Sequence, residues 1–224
     1  MTGVYRNPAT HSNDDRSRLS ASPPIACQLD FTDDERKALD FAASELAAEL
    51  GSVEHEDMPK AAAVAAGALP TRIRTFLTEF RLCEVAEVCV LTGIEIDEIA
   101  IGPTPSHWAS RTAPSRTVRE ELILVLLGSV LGDIFGWATQ QNGALIHDLV
   151  PIQGHENEQL GTGSTEQLKW HTEEAFHPMR CDYLGLMALR NWQQIGTNVA
   201  GVSALDLMPR DRILLSEPAF VIRP

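Results

Sequence analysis

LKWHTEEAFHP, Leu168 to Pro178, carries more chemical information than any other stretch of the chain. From Leu168 to Glu173 it alternates, which is the period of a strand. On a strand, side chains at i and i+2 share a face. His171 and Glu173 then stand side by side, with Thr172 facing away. An imidazole and a carboxylate fixed on one strand are two members of a 2-His-1-carboxylate facial triad. Such a triad binds iron(II) and leaves positions open for substrate and oxygen. Two plainer arrangements use the same residues. One is a strand-end His hydrogen-bonded to its neighbouring carboxylate. With 7 His in the chain, an HxE match by itself is a weak signal. The other is a zinc hydrolase site of His171, His177 and Glu173 or Glu174. Zinc sites want three protein ligands and a water, and a helical HExxH is lacking.

The segments after this stretch, and just before it, look like strands and loops. Leu145 to Ile152, LIHDLVPI, is strand-like, with Pro151 marking an edge or an end. Gly154 to Ser164 is a long polar loop. Tyr183 to Leu189 is an apolar run suited to a core strand, Gly201 and Pro209 bracket a short helical or turn segment, and Phe220 to Ile222 is a last strand fragment.

Further upstream the period changes to that of helices. Thr32 and Glu35 have capping-box spacing, followed by an apolar stripe of Ala38, Leu39, Ala42, Leu46 and Leu50, with Gly51 as the stop. KAAAVAAGAL, Lys60 to Leu69, predicts a second helix, and Pro70 opens a third that carries Ile73, Phe76, Leu77 and Phe80. VCVLTGIEI, Val88 to Ile96, reads as a buried strand bent at Gly93. Residues 102–117 form a Pro/Ser/Thr loop, and VREELILVLLGSVLGDIF, Val118 to Phe135, predicts a buried helix with Glu120 and Glu121 in its first turn. Residues 1–26 are polar and aperiodic and read as a disordered tail. Helices first and strands later predict an α+β domain over 27–224, helical over 27–135 and β-rich over 136–224, with a sandwich or barrel at the C-terminal side.

Composition narrows the partners. The 224 residues suffice for one sizeable core. Lys plus Arg is 18 against 31 Asp plus Glu, so the formal charge of −13 opposes binding to phosphate backbones, and no nucleic acid is expected. The longest uncharged apolar stretch, Leu122 to Gly132, falls short of the roughly 20 residues that span a bilayer. The N-terminal residues lack an apolar signal core, and Cys27, Cys83, Cys89 and Cys181 form no CxxC pair. Together these predict a cytoplasmic chain with reduced thiols.

GWATQQNG, Gly136 to Gly143, together with ENEQLGTGSTEQLKWHTEEAFHPMRCDYLGLMALRN, Glu156 to Asn191, closely resembles the clavaminate synthase-like branch of the iron(II)/2-oxoglutarate oxygenases. Within that branch it is most similar to hydroxylases of free arginine and arginine-derived amino acids that serve peptide-antibiotic pathways. The resemblance spans about Phe31 to Pro224 and is specific because many positions agree in order. It implies a double-stranded β-helix, or jelly-roll, with helices packed on it. It implies Fe(II) as cofactor with 2-oxoglutarate and O2 as co-substrates. Its chemistry is decarboxylation of 2-oxoglutarate coupled to hydroxylation at Cβ of a basic amino acid. Residue by residue, it implies His171 and Glu173 as iron ligands. Gln140 would hydrogen-bond the substrate, and Leu160, Gly161, Thr162 and Ser164 would contact its amino and carboxylate groups, with Glu173 also near the amine. Thr197, in GTNVAG, would lie near the co-substrate.

Two local departures are minor: Glu174 stands where relatives often have Asp or Asn, and Trp192 follows Asn191 where relatives often have Pro. The larger departure is that the family pattern continues beyond Pro224. That continuation carries the distal His ligand, the Arg that pairs with 2-oxoglutarate, and the acidic residues that grip a guanidinium. The barrel is therefore expected to be incomplete at its C-terminal side. The alternative function is then a truncated, non-catalytic remnant or a split-protein half that associates through open sheet edges. On an extended strand His177 lies about 13 Å from Glu173, at roughly 3.3 Å per residue, so it reaches the same metal only if the chain turns at Ala175–Phe176. His147 and His155 are the upstream candidates for a third ligand, and each reads more simply as a surface or hydrogen-bonding His.

Overall fold

Thr32 and Glu35 begin the first helix by satisfying each other's orphan backbone donors. In the computed structural model, which describes residues 2–5 and 24–221, the Thr32 hydroxyl accepts from the Glu35 N–H at 3.3 Å and Glu35 Oε2 accepts from the Thr32 N–H at 2.9 Å. Helix α1 (Asp33–Leu50) then runs to Gly51, whose φ of 73° suits a residue without Cβ, and whose N–H closes on the Ala47 carbonyl. Its buried line is Leu39, Ala43 and Leu46, with Ala42 and Leu50 flanking.

Helices α2 (Met58–Ala66) and α3 (Thr71–Cys83) follow where the sequence places them, burying Met58, Ala62 and Ala66, then Ile73, Leu77 and Phe80. A short α4 spans Glu98–Ile101. Helix α5 (Val118–Leu131) is the hub, packing against α1, α2 and α3. It is apolar on nearly every side, as a helix enclosed by others should be. Leu122, Ile123, Val125 and Leu126 are fully buried. Its first-turn acids are buried too, and each is partnered. Glu121 accepts from Ser115 and Thr117 at 2.5 Å and pairs with Arg111, and Glu120 pairs with Arg119 at 2.8 Å.

Strands form in two small sheets. Here β1 is Thr2–Tyr5, β2 Ala26–Asp30, β3 Val88–Thr92, β4 Asp133–Phe135 and β5 Tyr183–Gly185. β2 and β3 pair in parallel, with Leu29 opposite Leu91, and β4-β1-β5 is antiparallel. Strand β3 stops at Gly93, where the bend was expected. Of the segment 1–26 expected as a tail, Thr2–Tyr5 and Ala26 lie in strands, and residues 6–23 lie outside the described residues.

Several strand and helix assignments need correction. The helix predicted to Phe135 ends at Leu131, because Asp133–Phe135 hydrogen-bonds to β1 instead. Region 136–224 is not β-rich: among its described residues the ladders hold only Tyr183–Gly185, out of the run to Leu189. Leu145–Ile152 and Leu168–Glu173 are irregular, and Phe220 and Val221 are exposed without a ladder, with Ile222 outside the described residues. An unanticipated helix, α6, occupies Pro209–Ser216, preceded by a 3-10 turn at Val202–Ala204. The cause is shared. A strand exists only where a neighbour accepts and donates along it. Where a neighbour is lacking, side-chain amides substitute. Gln141 donates to the Asp148 carbonyl and accepts from its N–H. Gln159 donates to the Gln167 carbonyl and accepts from the Lys169 N–H. A jelly-roll is therefore not drawn by the strands seen here. Among the described residues no helix is long and apolar enough to cross a membrane.

The α1 cap has a measurable signature. Burial pushes the Glu35 carboxyl up, but the Thr32 N–H, the Arg72 guanidinium at 2.6 Å and the Thr32 hydroxyl outweigh it and hold the carboxyl below its ordinary value. A carboxyl lowered on folding stabilises above its unfolded pKa, near 4.3, and that contribution fades as pH falls through the folded value. Thr32→Ala is expected to cost about 1 kcal/mol at pH 7 by urea denaturation. Glu35→Gln is expected to be destabilising at pH 7 and nearly neutral once the wild-type carboxyl is protonated. A wild-type-to-variant gap that stays constant with pH contradicts this account of the cap.

Candidate active site

The backbone around His171 is irregular, and two polar anchors hold it. The Gln159 amide fixes Gln167 and Lys169, and the Lys169 carbonyl lies 2.6 Å from His171 Nδ1. A carbonyl can only accept, so Nδ1 carries the proton and Nε2 is the free ring nitrogen. Nε2 lies 3.2 Å from Glu173 Oε1. The i, i+2 pairing foreseen from the sequence is therefore present, though no strand makes it.

The electrostatics follow from that geometry. A neutral ring with its proton on Nδ1 would set two lone pairs against each other across 3.2 Å. The gap calls for a positive charge. The Lys169 carbonyl, the largest influence, and the Glu173 carboxylate together hold the imidazole above its ordinary pKa against the opposing effect of burial. A metal ion fits the same place. Donors bound to one ion at about 2.1 Å and at right angles lie roughly 3 Å apart.

After Glu173 the chain turns twice. The Ala175 N–H donates to the Thr172 carbonyl and the His177 N–H to the Glu174 carbonyl, at 3.3 and 2.8 Å. Glu174 takes φ +48°, in the left-handed region. The extended path expected for His177 is thus absent, yet the turn delivers His177 to Trp137, not to Glu173. Their rings meet edge to face, with centroids 4.3 Å apart. Trp137 also stacks on Phe135 at 5.2 Å. Among the described residues no group of three or more His, Cys, Asp and Glu could hold a metal, so the zinc arrangement is not assembled.

Gln140 comes to this place from the other side. Its Nε2 donates to Glu174 Oε1 at 3.2 Å. Trp137, Gln140, His147, Glu173, Glu174 and Cys181 line a small cavity of about 20 Å³. Two buried polar atoms there lack partners: Trp137 Nε1, a donor, and Glu174 Oε2, an acceptor. Such orphans mark places where a ligand or ion completes the bonding. Burial pushes the Cys181 thiol up to about 11, with Glu174 and Glu173 adding to the shift, so it is protonated and no nucleophile. Burial lowers His147, whose Nε2 meets the Ala144 carbonyl at 3.1 Å.

The remaining expected residues lie farther from the pair. Loop Leu160–Ser164 is tied down by His155, whose Nδ1 meets Thr162 Oγ1 at 3.1 Å, which gives His155 a bracing role. Gly163 must be glycine, since a Cβ would sit 2.6 Å from the Glu158 carbonyl oxygen. Leu160, Gly161 and Ser164 are exposed. Next to the loop, Gln159 connects to His171 through Lys169. Thr197 is exposed on an irregular stretch, and among the described residues no hydrogen bond joins it to the pair. A larger cleft of about 780 Å³, between the 103–117 loop, the start of α5 and residues 186–195, contains none of His171, Glu173 or Gln140.

Sequence reasoning weighed Glu174 only as a minor departure and as an alternative zinc ligand, not as a partner of Gln140, and it passed over Gln159 and the Trp137–His177 contact. The signal for Glu174 was its place directly after Glu173, two acids in a row in a chain segment rich in His. Gln159 and the stack depend on folding and had no local signature.

No family model matches the chain. The chain is 41% identical over 196 residues to an enduracididine beta-hydroxylase of Streptomyces hygroscopicus, covering 88% of this chain and 58% of the relative. It is 40% identical over 198 residues to an L-ornithine/L-arginine 3-hydroxylase of Catenulispora acidiphila, with the same shares. It thus spans less than two thirds of either relative's length. Its structure matches that of the non-heme iron oxygenase OrfP, solved with Fe, succinate and (3S)-hydroxy-L-Arg. The TM-score is 0.65 at 43% identity, over 68% of this chain and 46% of OrfP. OrfP has also been solved with Fe and alpha-ketoglutaric acid. Over the residues it shares with them, this chain is similar in sequence to these amino-acid hydroxylases and in structure to a non-heme iron oxygenase.

Proposed function

We propose that this chain is part of an iron(II)/2-oxoglutarate-dependent dioxygenase that hydroxylates Cβ of a free basic amino acid, arginine or a cyclic arginine derivative. The observation that carries this reading is the His171–Glu173 pair, with Nδ1 committed to a carbonyl and Nε2 facing a carboxylate at 3.2 Å. The names of the two relatives support the position of attack, because beta and 3 denote the same carbon.

In this reading His171 Nε2 and Glu173 Oε1 hold the iron. When bound with 2-oxoglutarate and oxygen, it supplies the oxidising power that no side chain has. The protein orients and shields. Gln140, its amide N–H given to Glu174, keeps its carbonyl oxygen free to accept from a substrate ammonium. Glu174 Oε2, buried without a partner, adds an acceptor and a negative charge, which favours a cationic amino acid. Trp137 walls the cavity against water, with the His177 ring packed on it. Leu160, Gly161, Thr162 and Ser164 are assigned to the substrate's amino and carboxylate groups and Thr197 to the co-substrate, on the family resemblance. The same resemblance supports one oxygenase unit over 27–224 built toward a jelly-roll. The four free thiols support a cytoplasmic setting. The expectation of an incomplete barrel supports self-association through open sheet edges.

A second reading, a chain that binds iron weakly and does not turn over, is favoured by one observation. Among the described residues no third His, Cys, Asp or Glu joins the pair.

Activity separates the two. The purified chain with iron(II), oxygen, 2-oxoglutarate and arginine is expected to release succinate and a hydroxylated amino acid, seen by mass spectrometry, and His171→Ala to abolish both. Iron binding with no turnover of arginine, ornithine or a cyclic guanidino amino acid favours the second reading.

The pair itself is testable by titration. His171, followed by NMR, is expected to titrate above the ordinary imidazole value of about 6.5. Glu173→Gln should lower the midpoint only in part, since the larger contribution of the Lys169 carbonyl remains. Iron(II) added without oxygen should lower it further by competing with the proton for Nε2. A midpoint at or below the ordinary value in the protein without added metal contradicts this account of the pair's electrostatics.

A further inference from the structure

Cys27 and Cys89 are register partners in the parallel β2–β3 ladder. Register partners project to the same side of a sheet, so their sulfurs face each other. They lie on the face of Leu29 and Leu91, are half-buried, and are both free thiols. Neither belongs to the site around His171. Adjacent strands stand about 4.8 Å apart, inside the roughly 4.4–6.8 Å Cα separation that a disulfide spans. We propose that Cys27 and Cys89 form an oxidation site, a facing dithiol that closes to a reversible disulfide when met by a hydroperoxide.

The chemistry balances in two steps. The Cys27 sulfur attacks the peroxide O–O bond and becomes a sulfenic acid, releasing an alcohol or water. Cys89 then displaces hydroxide from that sulfur, and with the thiol proton this leaves as water while the S–S bond forms. Two electrons pass from the thiol pair to the peroxide. The order follows from the environment of Cys89. Burial, reinforced by the neighbouring Cys27, pushes its thiol up to about 12, so it stays protonated and inert until a sulfenic acid sits beside it. The bond is strained: facing Cβ atoms of a flat ladder are about 4.8 Å apart, whereas a relaxed disulfide wants roughly 3.8 Å. β2 and β3 form a sheet of only two strands, so they can draw together locally. The strain makes the bond easy to reduce, which suits a reversible mark.

The test uses the full chain carrying Cys83→Ser and Cys181→Ser, so that only Cys27 and Cys89 remain. After hydrogen peroxide at mildly alkaline pH, both thiols should disappear together on titration in denaturant. The mass should fall by two hydrogens, and peptide mapping should show Cys27 joined to Cys89, with full reversal by dithiothreitol. Adding Cys27→Ser should protect the Cys89 thiol. If the double variant does not fold, the wild-type chain serves, because cleavage after Glu84 and Glu87 separates Cys83 from Cys89. Two results overturn the proposal. One is survival of both thiols under peroxide that consumes exposed Cys83. The other is addition of oxygen to either sulfur with no cross-link. Neither readout depends on hydroxylase activity.

Discussion

One imidazole fixed between two oxygens organises the chemistry of this chain. The Lys169 carbonyl takes one ring nitrogen of His171, and the Glu173 carboxylate faces the other at 3.2 Å. The first contact dictates where the proton sits on a neutral ring, and so leaves the second nitrogen facing the carboxylate. Other features extend this arrangement. Gln159 fixes the peptide that supplies the carbonyl, and the left-handed Glu174 starts the turn that carries His177 back to Trp137. Gln140 joins the 136–143 segment to the same turn through Glu174. Each link is a hydrogen bond or ring contact of ordinary strength, and the arrangement depends on having all of them.

The helical half of the fold was legible because its signals are local. Thr32 and Glu35 lie within one helical turn of each other, and Gly51 and Pro70 act on the peptide units beside them. Leu122 to Leu127 could only be a helix wrapped by others. The strands were read less well because a ladder is a property of two segments. Leu168 to Glu173 alternates as a strand should, and yet its Lys169 N–H goes to the side chain of Gln159, its Lys169 carbonyl to the His171 ring and its Thr172 carbonyl to the Ala175 N–H. Asp133–Phe135 continues a helical pattern, and yet it pairs with β1, more than a hundred residues away.

For the site, the sequence identified the residue types and half of the geometry. His171 beside Glu173 was foreseen from an assumed strand and is realised by turns, since i, i+2 neighbours can also meet when a carbonyl locks the ring. Gln140 was assigned by resemblance, and its placement through Glu174 could not be read from spacing. His177 shows the limit of linear distance. The chain did turn where it had to for His177 to approach Glu173, but an aromatic face, which no count of residues along a strand could include, captured the ring.

Among the described residues, every buried apolar residue of the core lies between Leu29 and Ile152. The segment bearing His171 and Glu173 contributes only Tyr183 and Met187 at the margin of that core. Durability and chemistry are thus housed in separate parts of one polypeptide. Local opening of the later part breaks polar bonds and ring contacts while the helices stay closed. Heat should silence the chemistry well before it unravels the bundle. Selection can therefore harden the bundle or retune the pocket, each with little effect on the other.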